Sequence, residues 1–302
     1  MMGAFRIRPA SAEQVGLIPQ CAECNRALVF DTDDELVFYC PQSPSVSVCR
    51  LSAQAFYDGL ASEYHLIFGD WDAAVERQGL AIARLIRGVR GLDAQDVLDC
   101  SCGIGTQAIG LAREGYRVFG TDISERAVER ARGEAARLGQ DVAFGVADLR
   151  DLDSVDGTFD VVISCDNSVP HLLDLQELET ALRAMSHKLR PGGLLLISIR
   201  DYDQALVDRA SSTSRLIEGP PRRVDLRVYD WEPDSPVHTV HVLLLSESGA
   251  GWTVSHHHVR YRALTRSELT QVAEQVGFIA ATWHDPGDVG YYQPVFTAIR
   301  PE

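Results

Sequence analysis

A turn with two glycines, placed between an apolar segment and a helical one, constrains this chain most. Residues 97–100 have the pattern of the end of a short buried strand, and residues 106–113 have the spacing of a helix. Gly103 and Gly105 lie between them, and glycine can adopt a positive φ that brings the backbone close to a ligand. A strand, a glycine turn and a helix N-terminus present free N–H groups over a crevice. The arrangement predicts a ligand-binding crevice at this turn.

The acidic residues near this turn favour one cofactor class over another. The spacing Gly103-x-Gly105-x-x-Ala108 also fits the dinucleotide fingerprint of a nicotinamide-dependent dehydrogenase. Asp99 ends the first strand, however, and its charge would repel a pyrophosphate group. S-adenosylmethionine carries an ammonium and a sulfonium group, which a carboxylate suits. Asp122 ends a second strand and is expected to accept hydrogen bonds from ribose hydroxyls in either cofactor.

Strand and helix patterns alternate from residue 95 to about residue 200. This alternation predicts an α/β fold with a Rossmann-like, doubly wound and mostly parallel sheet, which an antiparallel pair of strands near residues 279–284 and 293–300 closes. Ligands bind at the carboxyl ends of strands in such sheets. Polar side chains fall at four of these ends: Asp99, Asp122, Asp148 and Asp166 with Asn167.

The chain outside this alternation divides into three segments. Residues 1–50 are expected to form a small N-terminal extension, and residues 51–302 the main domain. Within that domain, residues 51–92 predict a helical lid, in which Tyr57 and Tyr64 either cover a cofactor or pack against the core. Residues 200–262 predict a β-rich insertion after the fifth strand, on the substrate side.

Cysteines and histidines suggest two candidate metal sites, neither of which the pattern favours. Cys21, Cys24, Cys40 and Cys49 could hold a structural zinc ion, but eight residues separate the second pair, so a hairpin with reduced thiols is the favoured alternative. His256 and His258 share one face of a predicted strand and could bind a metal together with His238 or His241. Solvated or cross-strand-paired histidines are the favoured interpretation there.

Charge and hydropathy restrict the partners. The formal net charge of −15 argues against nucleic acid as a partner. No apolar run approaches the roughly 20 residues of a membrane span, and the N-terminus has no apolar signal segment, so we expect a cytoplasmic protein without membrane contact. The oligomeric state is not predicted.

Several motifs together resemble one known family. Residues 55–300 resemble a class I S-adenosylmethionine-dependent methyltransferase, specifically the glycine and glycine/sarcosine N-methyltransferase branch. The superfamily motifs are Val97-Leu98-Asp99-x-x-Cys102-Gly103-x-Gly105-Thr106, Asp122, Asp148 and Leu189-Arg190-Pro191-Gly192-Gly193. The branch motifs are Tyr64-His65-Leu66-Ile67-Phe68-Gly69-Asp70, Asn167-Ser168-x-x-His171 and Arg200-x-Tyr202-Asp203.

The resemblance implies a set of cofactor-binding residues. Asp99, Gly103 and Gly105 would hold the methionine portion of S-adenosylmethionine, and Asp122 its ribose. Asp148 and Leu149 would frame the adenine. The remaining cofactor candidates are Tyr57, Tyr64, Arg77 (for the cofactor carboxylate), Cys100, Ile123 and Cys165.

The resemblance also implies substrate contacts. Asn167 would orient the acceptor near the methyl group, and Arg200 would hold the carboxylate of an amino-acid substrate; a salt bridge from Arg200 to Asp201, Asp203 or another local acid is the alternative. His171 and Tyr202 are further substrate-binding candidates. Asp166 stands where the branch has glycine, which puts glycine itself in doubt as the substrate, and it joins Asn167 and Arg200 as a catalytic candidate.

These observations predict an S-adenosylmethionine-dependent methyltransferase that N-methylates a small amine or amino-acid-like molecule. One alternative is a thiol or metalloid methyltransferase that uses Cys100, Cys102 and Cys165, all near strand ends. A second alternative is a cofactor-binding regulator without catalysis, with the cysteine-containing N-terminus as its interaction module. The nicotinamide dehydrogenase is disfavoured because it does not explain the Leu-Arg-Pro-Gly-Gly turn or the closing strands.

Overall fold

The computed structural model describes residues 52–249 and 251–302, together with the backbone of two short strands. These strands, β1 (Val29–Phe30) and β2 (Phe38–Tyr39), pair antiparallel. The chain separates into one compact unit of residues 1–51 and another of residues 52–302. The zinc candidates Cys21, Cys24, Cys40 and Cys49 lie outside the described residues, and that site stays a prediction.

Two helices precede the central sheet. Helix α1 (Ala53–Leu60) begins at Ser52, whose side chain accepts a hydrogen bond from the Ala55 N–H. A short 3₁₀ turn (Tyr64–Ile67) leads to α2 (Trp71–Arg90), which Asp70 caps in the same way. No helix in the described part of the chain has both the length and the apolar character needed to cross a membrane.

The alternating region forms the strands and helices that the sequence predicts. In chain order they are β3 (Asp96–Asp99), α3 (Thr106–Arg113), β4 (Arg117–Asp122), α4 (Glu125–Arg137), β5 (Ala143–Val146), β6 (Phe159–Ser164), α5 (Leu175–Lys188) and β7 (Leu189–Ser198). Neighbouring strands in this set pair in parallel. Helices cover both faces, so the central residues of β6 and β7 are apolar and fully buried.

An inserted antiparallel sheet follows β7. Helix α6 (Tyr202–Asp208) precedes four strands: β8 (Ser212–Ile217), β9 (Arg223–Trp231), β10 (Val237–Ser248) and β11 (Gly251–Arg262). Their spatial order is β11-β10-β9-β8. The face of this sheet that carries Val240, Val242 and Tyr261 packs against Phe56 and Leu60 of α1, and we call it the inner face.

The C-terminal segment closes the central sheet. Helix α7 (Arg266–Val276) begins with a capping box formed by Thr265 and Glu268, and β12 (Ile279–His284), α8 (Pro286–Val289) and β13 (Val295–Ile299) follow. Strand β13 pairs antiparallel with β7, and β12 pairs antiparallel with β13. The resulting strand order is β12-β13-β7-β6-β3-β4-β5. The predicted fold class is confirmed.

Two local expectations differ from the structure. Residues 190–193 are expected as a turn, but β7 already begins at Leu189, because Gly192 donates to the Arg300 carbonyl and Arg300 donates to the Gly193 carbonyl, at 2.9 Å each. Strand β8 is not predicted, since its residues Ser212–Arg215 are polar and exposed and give no alternating apolar signal.

Candidate active site

Three acidic side chains meet at the carboxyl edge of the parallel sheet. Asp99 is the last residue of β3, Asp122 is the last residue of β4, and Asp166 lies two residues beyond β6. Asp99 is fully buried and Asp122 is 7% exposed. Because burial disfavours the charged form of a carboxyl group, the pKa of each of these three residues is raised. The edge therefore gathers three acids whose ionised forms a bound cation would stabilise.

The glycine turn lies directly over this edge. Gly103 has φ of 52° and Gly105 has φ of 94°, in the left-handed region that favours glycine. The Gly103 N–H donates to Asp122 Oδ2 at 2.9 Å. A Cβ on Gly103 would meet no atom within 4 Å, whereas a Cβ on Gly105 would lie 2.8 Å from Ile109 Cδ1. Gly103 therefore borders open space, and Gly105 allows the turn to pack on α3.

Asp99 has a carboxylate oxygen that no described group satisfies. Its Oδ1 accepts a hydrogen bond from the Ser101 N–H at 3.3 Å, while its Oδ2 is buried without a partner in residues 52–249 and 251–302. Burial, together with the nearby charges of Asp122 and Asp166, raises the pKa of Asp99 to about 8. Since buried polar atoms normally find a partner, this oxygen is available to a hydrogen-bond donor of a ligand.

A small cavity of about 20 Å³ opens beside these groups. Its walls carry backbone from the glycine turn and side chains from the lid and the strand ends. They are Tyr57, Tyr64, Ser101, Cys102, Gly103, Thr106, Gln107, Asp122, Asp166 and Ser168. An unsatisfied buried carboxylate oxygen, a second acid and an open glycine turn fit S-adenosylmethionine, which has a cationic methionine end and ribose hydroxyls.

A second cavity of about 610 Å³ adjoins the first. Three residues, Tyr57, Tyr64 and Asp166, line both cavities. The larger cavity also has several charged residues in its walls: Arg77, Arg200, Arg215, Asp225 and Arg227. The junction between a cavity rich in acids and a cavity rich in arginines therefore lies at Asp166.

Asp166 is held in an unusual backbone conformation. It has φ of 58°, and the next residue, Asn167, has φ of 70°. Non-glycine residues in this region are uncommon and carry strain, although Asp and Asn tolerate it best. The hydroxyls of Tyr291 and Tyr292 both donate to Asp166 Oδ1, at 2.7 and 2.5 Å. The two tyrosine hydroxyls therefore fix the carboxyl group of Asp166 in this turn.

Asn167 forms hydrogen bonds with residues at and near the wall of the larger cavity. It is 2% exposed, and its Oδ1 accepts a hydrogen bond from the Arg200 N–H at 3.1 Å. Its Nδ2 donates to the Tyr202 hydroxyl at 2.9 Å. Asn167 therefore fixes the start of the segment that follows β7, and Tyr202 lies behind it as a buried support.

Arg200 keeps its positive charge available to the larger cavity. Its guanidinium makes no ion pair within the part of the chain that the structure describes, and its Nη1 lies 3.5 Å from the Tyr229 hydroxyl. The alternative salt bridge to Asp201 or Asp203 does not form. Those two carboxylates instead contact Arg266, through Nη2 at 3.7 Å and the backbone N–H at 3.1 Å.

The inner face of the inserted sheet supplies site residues that the sequence analysis missed. Asp225, Arg227 and Tyr229 alternate on β9 and all line the larger cavity. Asp225 is 5% exposed and lies 3.1 Å from Arg227 and 4.0 Å from Arg215. The period-two spacing of these polar residues was an available signal. Tyr291 and Tyr292 gave no comparable signal, because they reach Asp166 only through the fold.

Several predicted site residues lie outside both cavities. His171 contacts the Tyr57 hydroxyl through Nε2 at 2.8 Å, and burial lowers its pKa to about 3, so the ring is neutral. Asp148 forms a salt bridge with Arg150 at 2.6 Å. The remaining predicted residues absent from the described linings are Asp99, Cys100, Gly105, Ile123, Leu149, Cys165 and Tyr202, while Arg77 lines only the larger cavity.

The three cysteines near the strand ends are buried thiols. Cys100, Cys102 and Cys165 are each at most 2% exposed. Burial, followed by the charge of Asp99, raises the pKa of all three. Because the thiolate is the reactive form of cysteine, these positions are unsuited to nucleophilic or metalloid chemistry near neutral pH.

Comparison with known families identifies the central part of the chain. Residues 97–193, which hold the glycine turn and strands β3 to β7, match the family described as a methyltransferase domain. Residues 97–193 are therefore similar to a methyltransferase domain. The predicted resemblance to the class I S-adenosylmethionine-dependent methyltransferases is confirmed over this part of the chain.

Two curated relatives share sequence with part of this chain. A glycine/sarcosine N-methyltransferase of Parasynechococcus marenigrum (strain WH8102) is 33% identical over 138 residues, which are 45% of this chain and 48% of that protein. The glycine N-methyltransferase of Homo sapiens is 36% identical over 126 residues, 37% of this chain and 43% of that protein. The chain thus spans less than half the length of these two relatives.

Solved structures share the fold over a larger part of the chain. The CcbJ methyltransferase of Streptomyces caelestis superposes with a TM-score of 0.67 and 23% identity, over 82% of this chain and 97% of that one. CalS10, described as an amino pentose methyltransferase from Micromonospora echinaspora, superposes with a TM-score of 0.65 and 22% identity, over 75% of this chain and 91% of that one. At these identities the comparison shows a common fold.

Proposed function

We propose that this chain transfers a methyl group from S-adenosylmethionine to the amine nitrogen of a small molecule that also carries an anionic group. The observation that carries this proposal is the position of Asp166. Asp166 lines both the small acidic cavity and the large arginine-containing cavity. An amine held at Asp166 would stand between a bound cofactor on one side and the rest of its own molecule on the other.

The residues at the carboxyl edge of the parallel sheet, in and around the small cavity, would hold the cofactor. Asp99 Oδ2 would accept a hydrogen bond from the α-ammonium group, which satisfies its unpartnered oxygen. Asp122 would accept hydrogen bonds from the ribose hydroxyls, and the Gly103 turn would approach the methionine portion. Asp148 and Leu149 would border the adenine, and Arg77 the cofactor carboxylate. When bound, S-adenosylmethionine supplies an electrophilic methyl group on a positively charged sulfur.

Asp166 would bind the acceptor amine and take its proton. An amine attacks through its lone pair, so an ammonium group has to lose a proton before or during transfer. The two tyrosine hydroxyls occupy Asp166 Oδ1, which leaves Oδ2 to receive that proton. Burial raises the pKa of Asp166 towards the neutral range where a general base is most effective.

The other walls would orient the acceptor. Arg200, whose guanidinium has no described ion-pair partner, would form a bidentate contact with a carboxylate or another planar anion. Tyr57 and Tyr64 from the lid would exclude water from the junction that they share with Asp166. Alignment of an amine with the methyl group in a closed site is the main contribution that the protein makes to such a displacement.

The size of the acceptor cavity bears on the acceptor itself. Pockets of about 300–1,000 Å³ enclose drug-sized ligands, and this cavity of about 610 Å³ lies within that range. The curated relatives are named for glycine and sarcosine, whereas a neighbour that shares the fold is described as acting on an amino pentose. The cavity and the carboxyl group of Asp166 favour an amine larger than glycine.

The test is a methylation assay on the purified chain. S-adenosylhomocysteine formation would be followed with amino acids, amino sugars, simple amines, thiols and arsenite as acceptors. Turnover on an amine that carries an anionic group is the expected result. Turnover only on thiols or arsenite would overturn the proposal. Bound cofactor without turnover on any acceptor would overturn it in favour of a non-catalytic regulator.

A further inference from the structure

Three histidines meet on the face of the inserted sheet that points away from the acceptor cavity. In the β10–β11 pair, His241 lies opposite His258, and His256 lies opposite Leu243. Side chains alternate between the two faces of a sheet, so His241, His256 and His258 all project from the same outer face. His257, between the two β11 histidines, projects from the inner face and contacts Glu63 at 3.5 Å.

The three imidazole rings form a compact stack. Their centroids are 5.2 to 5.6 Å apart, and their planes are inclined by 20° to 27°. One ring nitrogen from each histidine lies within 4.8 Å of the other two, and His241 Nδ1 lies 3.0 Å from His256 Nε2. Nitrogen ligands about 2.0–2.1 Å from a tetrahedral zinc ion are about 3.3 Å from one another. Small side-chain rotations would therefore bring the three nitrogens onto one ion.

A carboxylate orients one of these histidines from behind. Asp230 Oδ2, on the neighbouring strand β9, contacts His241 Nε2 at 2.8 Å, which leaves His241 Nδ1 facing His256. A carboxylate on the far nitrogen of a ligating histidine is the usual outer contact of metal sites.

We propose that His241, His256 and His258 form a binding site for a divalent transition-metal ion of the zinc class, with Asp230 as the residue that positions His241. Imidazole ligands suit zinc, copper and nickel. Three protein ligands leave a fourth position of a tetrahedral ion open to solvent or to an external ligand. This site is separate from the acceptor cavity, because it lies on the opposite face of the sheet.

The test is a Zn²⁺ titration of the metal-free full chain against a chromophoric chelator. The parent chain is expected to bind one more equivalent than His256→Ala. Because the His256 side chain is exposed, we expect this variant to keep the fold. The matched control is His257→Ala, which removes the adjacent histidine on the other face and should keep the full stoichiometry. Asp230→Asn should keep the site but weaken it about 10- to 100-fold.

Two results would overturn this site. One is the same stoichiometry and affinity for the parent and His256→Ala. The other is that the metal ion is bound by cysteines, which the parent and the three variants all retain. With Co²⁺ as the probe, the absorbance difference between the parent and His256→Ala should show an imidazole-bound ion, and a thiolate charge-transfer band in that difference would assign the lost ion to cysteine ligands instead.

Discussion

The two walls of the proposed active site differ in the charge that they present. The carboxyl edge of the parallel sheet presents acids, with Asp99, Asp122 and Asp166 gathered at three neighbouring strand ends. The inner face of the inserted sheet presents arginines, among them Arg215 and Arg227. The acids are buried with raised pKa values, whereas the arginines are permanently charged.

This difference explains how adjoining cavities can bind two unlike molecules, the cofactor and the acceptor. A cationic cofactor relieves the repulsion among the acids, so the parallel sheet is suited to bind S-adenosylmethionine. An anionic group on the acceptor is attracted to the arginines and to Arg200, so the inserted sheet is suited to choose the acceptor. Asp166 lies where the two walls meet, and its replacement should therefore have the largest effect.

Asp166→Asn should lower kcat for the best amine acceptor about 10²- to 10⁴-fold, the usual contribution of a general base. Asparagine tolerates the left-handed backbone of this position, and its oxygen can still accept the two tyrosine hydrogen bonds. Steady-state kinetics would measure the change. An unchanged kcat would show that Asp166 does not move the amine proton.

The pH profile sharpens this prediction. Rate should rise with pH as the Asp166 carboxyl group deprotonates, because only the carboxylate can accept a proton. The Tyr292 hydroxyl stabilises that carboxylate and lowers its pKa. Tyr292→Phe should therefore move the rising limb of the profile to higher pH, a shift that a purely structural role for Tyr292 would not produce.

Asp99→Asn should weaken cofactor binding with a smaller effect. A hydrogen bond to a charged group contributes about 1.5–3 kcal/mol, which corresponds to about a 10- to 150-fold change in the dissociation constant. Isothermal titration calorimetry with S-adenosylmethionine would measure it. Asp153→Asn, an exposed carboxylate on the loop after β5, is the control and should bind as the parent does. Equal affinity of all three proteins would remove Asp99 from the cofactor site.

The pH dependence of cofactor binding should be smaller again. Asp99 has a pKa of about 8 in the free protein, so it is mostly protonated near neutral pH, and a cationic ligand binds better to its ionised form. Affinity should therefore rise with pH, by up to about tenfold per unit between about pH 6 and pH 7.5. Calorimetry should detect proton release on binding. Asp99→Asn should abolish both effects, and a parent protein without them would contradict the assignment.

The smallest effect is expected at the cysteines. Cys165→Ala should leave turnover per folded molecule unchanged and reduce the free energy of unfolding by about 1 kcal/mol, as for a typical buried substitution. Activity assays and denaturant unfolding would separate the two quantities. Lost activity in a stably folded Cys165→Ala protein would instead support thiol chemistry.

Local patterns in the sequence predicted the carboxyl edge of the parallel sheet well. The bounds of α3 are those expected, and strands alternate with helices from residue 95 to about residue 200 as expected. These features depend on the spacing of apolar residues that lie close together in the sequence. The positions of Asp99 and Asp122 at strand ends follow from the same patterns, because a parallel sheet brings its carboxyl ends together.

The inner face of the inserted sheet could not be predicted to the same extent. Strand β8 is held by pairing with β9 rather than by its own sequence, and Tyr291 lies 125 positions from Asp166 along the chain. Such contacts depend on how separate elements pack. For the same reason, the sequence left open whether His238 or His241 lies beside His256 and His258. The strand register places His241 beside His258, whereas His238 is buried on the inner face against Trp231.

The most direct test of the division between the two walls uses matched acceptors. The best carboxylate-bearing amine from the assay and the corresponding amide would each be methylated by the parent and by Arg200→Ala, and kcat/KM compared in a double-mutant cycle. We expect the parent to prefer the carboxylate about 10-fold or more, and Arg200→Ala to lose that preference while its affinity for S-adenosylmethionine is retained. The same preference in both proteins would contradict the assignment of Arg200 to the acceptor.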